Sequence, residues 1–142
     1  MAHVCEYLII HCIDFRFIQA LQEFMESEGL TGACCDIVSM AGAGKNIVSP
    51  GEEKERDVFL AQVDISKKLH HISKIYLVQH MDCGAYGGHA AFTSLEEEVS
   101  FQKDQLTQAK KILENRYADI SVIQILAHIT DDGVVSFEKV KI

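Results

Sequence analysis

Two short clusters in this chain carry residue types that bind metals: Cys12-Ile13-Asp14-Phe15-Arg16 and His80-Met81-Asp82-Cys83-Gly84. Cys12, Cys83 and His80 together offer two thiolates and one imidazole, a donor set suited to zinc. Structural zinc normally takes four protein ligands, whereas three leave a position for water, so the count points to a catalytic metal. Each cluster alone has an ordinary reading. Cys-x-Asp-x-Arg can be a strand-end salt bridge beside a free thiol, and a histidine ending a strand can be a hydrogen-bonded core residue. Their shared context favours the metal. Both follow apolar, β-branched runs, Tyr7–His11 and Ile75–Gln79, and parallel strands of an α/β sheet deliver such residues into a common crevice.

If extended geometry continues past Cys12, residues 12, 14 and 16 face one side while Ile13 and Phe15 face the other. Asp14 and Arg16 would then sit beside the metal as a pair. A carboxylate there can accept a hydrogen bond from metal-bound water, and an arginine fork can keep that carboxylate ionised and correctly turned.

The elements that must position these residues read β-α-β-α-β-α-α-β-β, an α/β fold with a mostly parallel sheet flanked by helices. Strand one spans Glu6 to Cys12. A helix over about Phe17–Glu28 places Phe17, Leu21, Phe24 and Met25 on one face and stops at Gly29. Strand two, Cys35 to Met40, runs into the small-residue turn Ala41-Gly-Ala-Gly44. Ser49 as N-cap, Pro50 at the first helical position and Glu52 closing a capping box announce the next helix, with Val58, Ala61, Ile65 and Leu69 as its buried stripe. After strand three, Ile75–Gln79, a short helix near Gly84 or Ala85 would put Cys83 at a helix N-terminus, where a thiolate is favoured. Ser94 and Glu97 open a long helix to Arg116, with Leu95, Val99, Leu106, Ala109 and Leu113 on its apolar face. Strand four is Val122–Ala127, and Asp131-Asp-Gly133 turns into an edge hairpin over Val134–Val140.

A chain of 142 residues with 48% apolar residues, 24% charged residues and one proline is expected to fold as one domain over 1–142, with a core that needs no disulfide or metal to hold it. A net charge of −8 argues against a nucleic-acid partner. The N-terminal stretch has no basic region, the run Tyr7–Ile13 is too short to span a bilayer, and five cysteines are an odd number. A reducing cytoplasm and no membrane partner are the expectation. Cys34 and Cys35 read as small apolar side chains entering a strand. The segment Ser39–Asn46 fails as a phosphate loop, because serine stands at the first glycine position and asparagine follows the lysine.

Jointly, Cys12-x-Asp14-x-Arg16, Met40-Ala41-Gly42 after strand two and His80-x-Asp82-Cys83-Gly84 resemble the β class of carbonic anhydrases, over essentially the whole chain. The resemblance implies Zn2+ held by Cys12, His80 and Cys83. It implies that Asp14 and Arg16 order the fourth position or, as in some members, that Asp14 itself swings onto the metal. Met40, Gly42 and Gly84 would belong to the substrate pocket. The implied reaction is reversible hydration of carbon dioxide to bicarbonate by a metal-bound hydroxide, in a homodimer or larger assembly. Phe15 stands where the family has serine, and Ser39-Met40 where it has Arg-Asn. With eleven residues before Cys12, the family's N-terminal arm is expected to lack a counterpart, and the dimer to be less interlocked. The chain has no tryptophan, so the Trp-containing bicarbonate pocket of some members is not carried over. Two thiolates should leave the bound water less acidic than three imidazoles would, favouring alkaline pH. Tyr86, His89 and His11 are candidate proton carriers. Two other readings remain: a hydrolase of carbonyl sulfide or carbon disulfide, signalled by Met40 and Phe15, and a non-catalytic zinc protein, against which Asp14 and Arg16 argue.

Overall fold

The apolar runs before the two clusters lie at the centre of one sheet. In the computed structural model, β1 (Tyr7–His11), β2 (Cys35–Ser39), β3 (Lys74–His80) and β4 (Ser121–Ile129) pair in parallel in the order β2-β1-β3-β4, and β5 (Val135–Lys139) lies antiparallel on the free side of β4. The structure describes residues 3–141; Met1 and Ala2, the start of the stretch read for a secretory signal, and Ile142 lie outside the described residues. From β1 the sheet grows towards β2 on one side and towards β3 and β4 on the other. The C-terminal ends of β1 and β3 therefore flank a topological switch point, where α/β sheets place their ligands.

Alternation along β1 divides the core. Leu8 and Ile10 face α3 (Glu53–His70) and α4 (Leu95–Arg116), packing with Phe59, Val63, Leu106 and Leu113, and Ile9 faces the other layer with Phe17, Leu21 and Met25 from the start and body of α1 (Ile18–Ser27). β3 is buried from Ile75 to His80, as the near-continuous apolar run requires. The hairpin forms as expected, with Phe137 of β5 stacked on Phe24 of α1.

The second helical region departs from the sequence reading. Ser49 caps the end of a four-residue helix, α2 (Lys45–Val48), and Pro50 cannot extend that helix. The capping box lies three residues later, between Glu52 and Glu55, and α3 starts at Glu53. The expected buried stripe is also displaced. Val58, Ala61, Ile65 and Leu69 are exposed, and Phe59, Val63 and Ser66 face the sheet. Helical spacing defines both faces equally well; the Phe59 ring, buried completely, decides which one meets the core. In α4, Ser94 caps the Glu97 N–H at 3.0 Å as expected, but the Glu97 carboxylate turns back to Thr93. Leu95 is exposed, while Glu98, Gln102 and Gln105 are buried on the face that continues to Leu106, Ala109 and Leu113.

Candidate metal centre

β1 ends one residue before Cys12, and β3 ends at His80, so both side chains project at the same edge of the sheet. The tight turn after β3 brings Cys83 back to them. One donor atom each from Cys12, His80 and Cys83 lies within 4.8 Å of the others, a cluster that could hold a metal ion. The two sulfurs are 4.0 Å apart, against about 3.8 Å along the edge of a tetrahedron with metal–sulfur bonds of about 2.3 Å. His80 Nδ1 lies 2.7 Å from the Met81 carbonyl, which fixes the tautomer and leaves Nε2 a lone pair. That Nε2 is buried and has no hydrogen-bond partner among the described residues, a cost that a metal would remove. The three donors fit zinc.

In the protein alone the two thiols share one charge. Hydrogen bonding from Cys83, aided by the Gly42 N–H at 3.4 Å, pulls the Cys12 thiol well below the usual thiol range, and the same pairing together with burial pushes Cys83 up. A divalent cation would remove that asymmetry by drawing both sulfurs into the anionic form.

Extended geometry does not persist past Cys12. Asp14 caps a 3-10 turn over Phe15–Phe17, accepting the Arg16 N–H at 3.0 Å, and this turn, rather than strand alternation, puts Asp14 and Arg16 together. Arg16 Nη2 donates to Asp14 Oδ2 at 2.7 Å, and Nε lies 3.1 and 3.2 Å from the two carboxylate oxygens. Arg16 holds the Asp14 carboxyl below its ordinary range. Asp14 Oδ2 is 3.9 Å from His80 Nε2, so the carboxylate borders the three donors while paired with arginine. Phe15 and Ile13 are not turned away; both are exposed at the rim of a cleft of about 650 Å³ that also contains Cys12, Asp14, Arg16 and Gly84. Met40 instead packs against the core, and Ala41 occupies the cleft wall. Gly42, at φ +79°, brings its N–H to Cys12, and an added Cβ would meet Ala85 at 3.0 Å.

Behind the donors lies a layer in which Asp82, Tyr86 and His89 are joined by Gln79, Glu98 and Gln102, to which the sequence reading gave no role. Arg16 Nη1 and Nη2 also reach Asp82 Oδ2 and its carbonyl, each at 3.0 Å. Asp82 adopts a left-handed conformation, φ +56°, held by its N–H to Glu98 at 2.6 Å and by the His89 N–H to its Oδ1 at 2.7 Å. Glu98, 1% exposed, also bonds His89 Nδ1. Behind it, Gln79 accepts from Gly44 N at 2.7 Å and donates to Tyr86 and Gln102. The signal for Glu98 and Gln102 was available in the helical spacing of α4, continued backwards from Ala109. Their polarity hid it. Of the three candidate proton carriers, His11 bonds the Cys12 carbonyl and is buried, and the Tyr86 hydroxyl is tied to Gln79 and Gln105, whereas His89 is 37% exposed beside Asp82.

A family model described as "Putative carbonic anhydrase" matches residues 2–139. Uncharacterized proteins of Rickettsia bellii and Rickettsia conorii are 29% and 28% identical over 131 residues, covering 90% of this chain and 78% and 69% of theirs. Among solved structures, β-carbonic anhydrase isoform I of Trichomonas vaginalis aligns with a TM-score of 0.60 at 16% identity, covering 96% of this chain and 83% of that one. A tetrameric β-carbonic anhydrase of Sordaria macrospora gives 0.60 at 18% identity, with 96% and 81% covered, and a β-carbonic anhydrase of Aspergillus fumigatus gives 0.63 at 11%, with 96% and 90% covered. At such identities the structures establish the fold, and the match over 2–139 establishes kinship. The chain belongs to the family described as putative carbonic anhydrases and has the β-carbonic anhydrase fold.

Proposed function

We propose that this protein is a zinc-dependent carbonic anhydrase that reversibly hydrates carbon dioxide to bicarbonate. The observation that carries the reading is the orphaned His80 Nε2 facing two thiols 4.0 Å apart, beside a carboxylate clamped by arginine. Cys12, His80 and Cys83 would hold zinc, which when bound supplies the Lewis acidity that brings the pKa of water near neutrality. Asp14 accepts a hydrogen bond from the reacting water and turns its lone pair towards carbon dioxide. Arg16 keeps Asp14 ionised and, through Asp82, ties it to the floor of the cleft. Ile13, Ala41 and Ala85 give the cleft an apolar wall suited to a nonpolar gas. His89 is the carrier best placed to pass the released proton to solvent.

The exposed apolar stripe of α3 and Ile37 on the open edge of β2 support self-association as a homodimer or larger assembly, and the Sordaria macrospora enzymes are tetrameric. Five free thiols suit a reducing cytoplasm, and no helix among the described residues is long and apolar enough to cross a membrane. A second reading, hydrolysis of carbonyl sulfide or carbon disulfide, gains support from the exposed Phe15 and Ile13 at the cleft rim. Turnover of the zinc-loaded protein with each of the three substrates, alongside Cys83→Ser, separates the readings. Hydration should dominate, and Cys83→Ser should lose one equivalent of zinc together with the activity. A preference for a sulfur-containing substrate would transfer the assignment to the second reading.

A further inference from the structure

At the opposite end of the sheet is a second group of donors outside the cleft. Cys5 precedes β1, Asp36 is the second residue of β2 and His70 ends α3; one donor atom from each lies within 4.8 Å of the others. The length of β1, about 17 Å at about 3.4 Å per residue, separates them from Cys12. A backbone hydrogen bond from Cys5 N to the His70 carbonyl, 2.9 Å, pins the two segments together. His70 Nδ1 lies 2.7 and 2.9 Å from the Asp36 oxygens, and the buried Ser66 hydroxyl donates to Asp36 Oδ2 at 2.6 Å, the supporting bond a ligating carboxylate needs. The group borders a cleft of about 340 Å³ that His3 also lines.

We propose that Cys5, Asp36 and His70 form a second metal site, for a transition-metal ion of the zinc class. Thiolate and imidazole exclude the hard, oxygen-seeking cations calcium and magnesium. An Asp–His pair alone would need no sulfur beside it. Ligation by both residues would open the His70 Nδ1–Asp36 hydrogen bond from 2.7 Å to the about 3.3 Å between donors of a tetrahedral ion, with the Ser66 hydroxyl still holding Asp36 Oδ2. Binding releases the Cys5 thiol proton and any proton on His70, so affinity rises with pH. The ion would tie the N-terminal segment, the edge strand β2 and the end of α3 to one another.

The test is zinc and cobalt loading of the metal-free full chain, kept reduced, followed by dialysis against micromolar free metal and elemental analysis. The wild type should retain about two equivalents. Cys5→Ser and His70→Ala should each retain one, with the melting temperature of the metal-free Cys5→Ser chain unchanged. Cys83→Ser should also retain one, and its cobalt form should keep thiolate-to-cobalt absorption that Cys5→Ser/Cys83→Ser lacks. A wild type that holds a single equivalent, or Cys5→Ser and His70→Ala proteins that hold two, overturns the proposal. If Cys83→Ser kept two while Cys5→Ser lost one, the second site would stand and the assignment of the first would fall.

Discussion

Replacing Asp14 with asparagine separates holding a metal from using it. The carboxylate takes the Arg16 fork through Nη2 at 2.7 Å and Nε at 3.1 and 3.2 Å, and the Arg16 backbone N–H at 3.0 Å. Asparagine offers one acceptor oxygen where aspartate offers two, so either the backbone bond or part of the fork is lost, and its amide nitrogen would face a guanidinium donor. A hydrogen bond to a charged group contributes about 1.5–3 kcal/mol, and the exposure of Arg16 places this one towards the lower end. At about 1.4 kcal/mol per tenfold, loss of the oriented carboxylate should lower kcat/KM for carbon dioxide hydration about 10-fold or somewhat more. Zinc content should not change, because Cys12, His80 and Cys83 are untouched.

The pH dependence carries a sign. Arg16 depresses the folded-state pKa of Asp14, so the pair's contribution is fully present above the unfolded value of about 3.9 and is lost only as pH falls through the lower, folded value. The deficit of the variant should therefore stay constant across neutral and alkaline pH. Stopped-flow hydration with a pH indicator, run beside metal analysis, measures it. Wild-type rates at full zinc occupancy would refute the orienting role. A variant faster than wild type at neutral pH would mean that Asp14 competes for the metal instead of orienting water.

Gly88→Ala should cost about 1–3 kcal/mol and lower the melting temperature by several degrees, because φ +69°, ψ −169° is essentially a glycine conformation and the new Cβ would lie 2.9 Å from Asp82 Oδ1; unchanged melting would show that Asp82 is not held there. Ile65→Glu should shift sedimentation at micromolar concentration towards monomer while leaving helical circular dichroism intact, since Ile65 is exposed on the apolar stripe of α3. An unaltered assembly would remove that stripe from the interface.

The two clusters were legible because each ends an apolar run, and a run buried on both faces fixes both the strand and the side of the sheet to which its end delivers. The hairpin was legible from Asp131-Asp132-Gly133. What the sequence concealed was of two kinds. Period alone could not choose between the Val58 and Phe59 faces of α3, because both repeat at helical spacing and only packing volume against the sheet separates them. Polar residues at core positions, Glu98 and Gln79, were masked by their own chemistry: they are buried because they satisfy the Asp82 and Gly44 backbone N–H groups, partners distant in sequence. The pairing of Asp14 with Arg16 was anticipated, though on alternation; a 3-10 turn capped by Asp14 itself produces it.

The account rests on a zinc ion at Cys12, His80 and Cys83 that drives hydration. Titrating zinc into metal-free Cys5→Ser protein, in which that site is the one intended to fill, while recording carbon dioxide hydration by stopped flow tests it most directly. The account predicts a rate that rises in proportion to bound zinc and levels off at about one equivalent per chain. A protein that binds that equivalent and hydrates carbon dioxide no faster than buffer would contradict it.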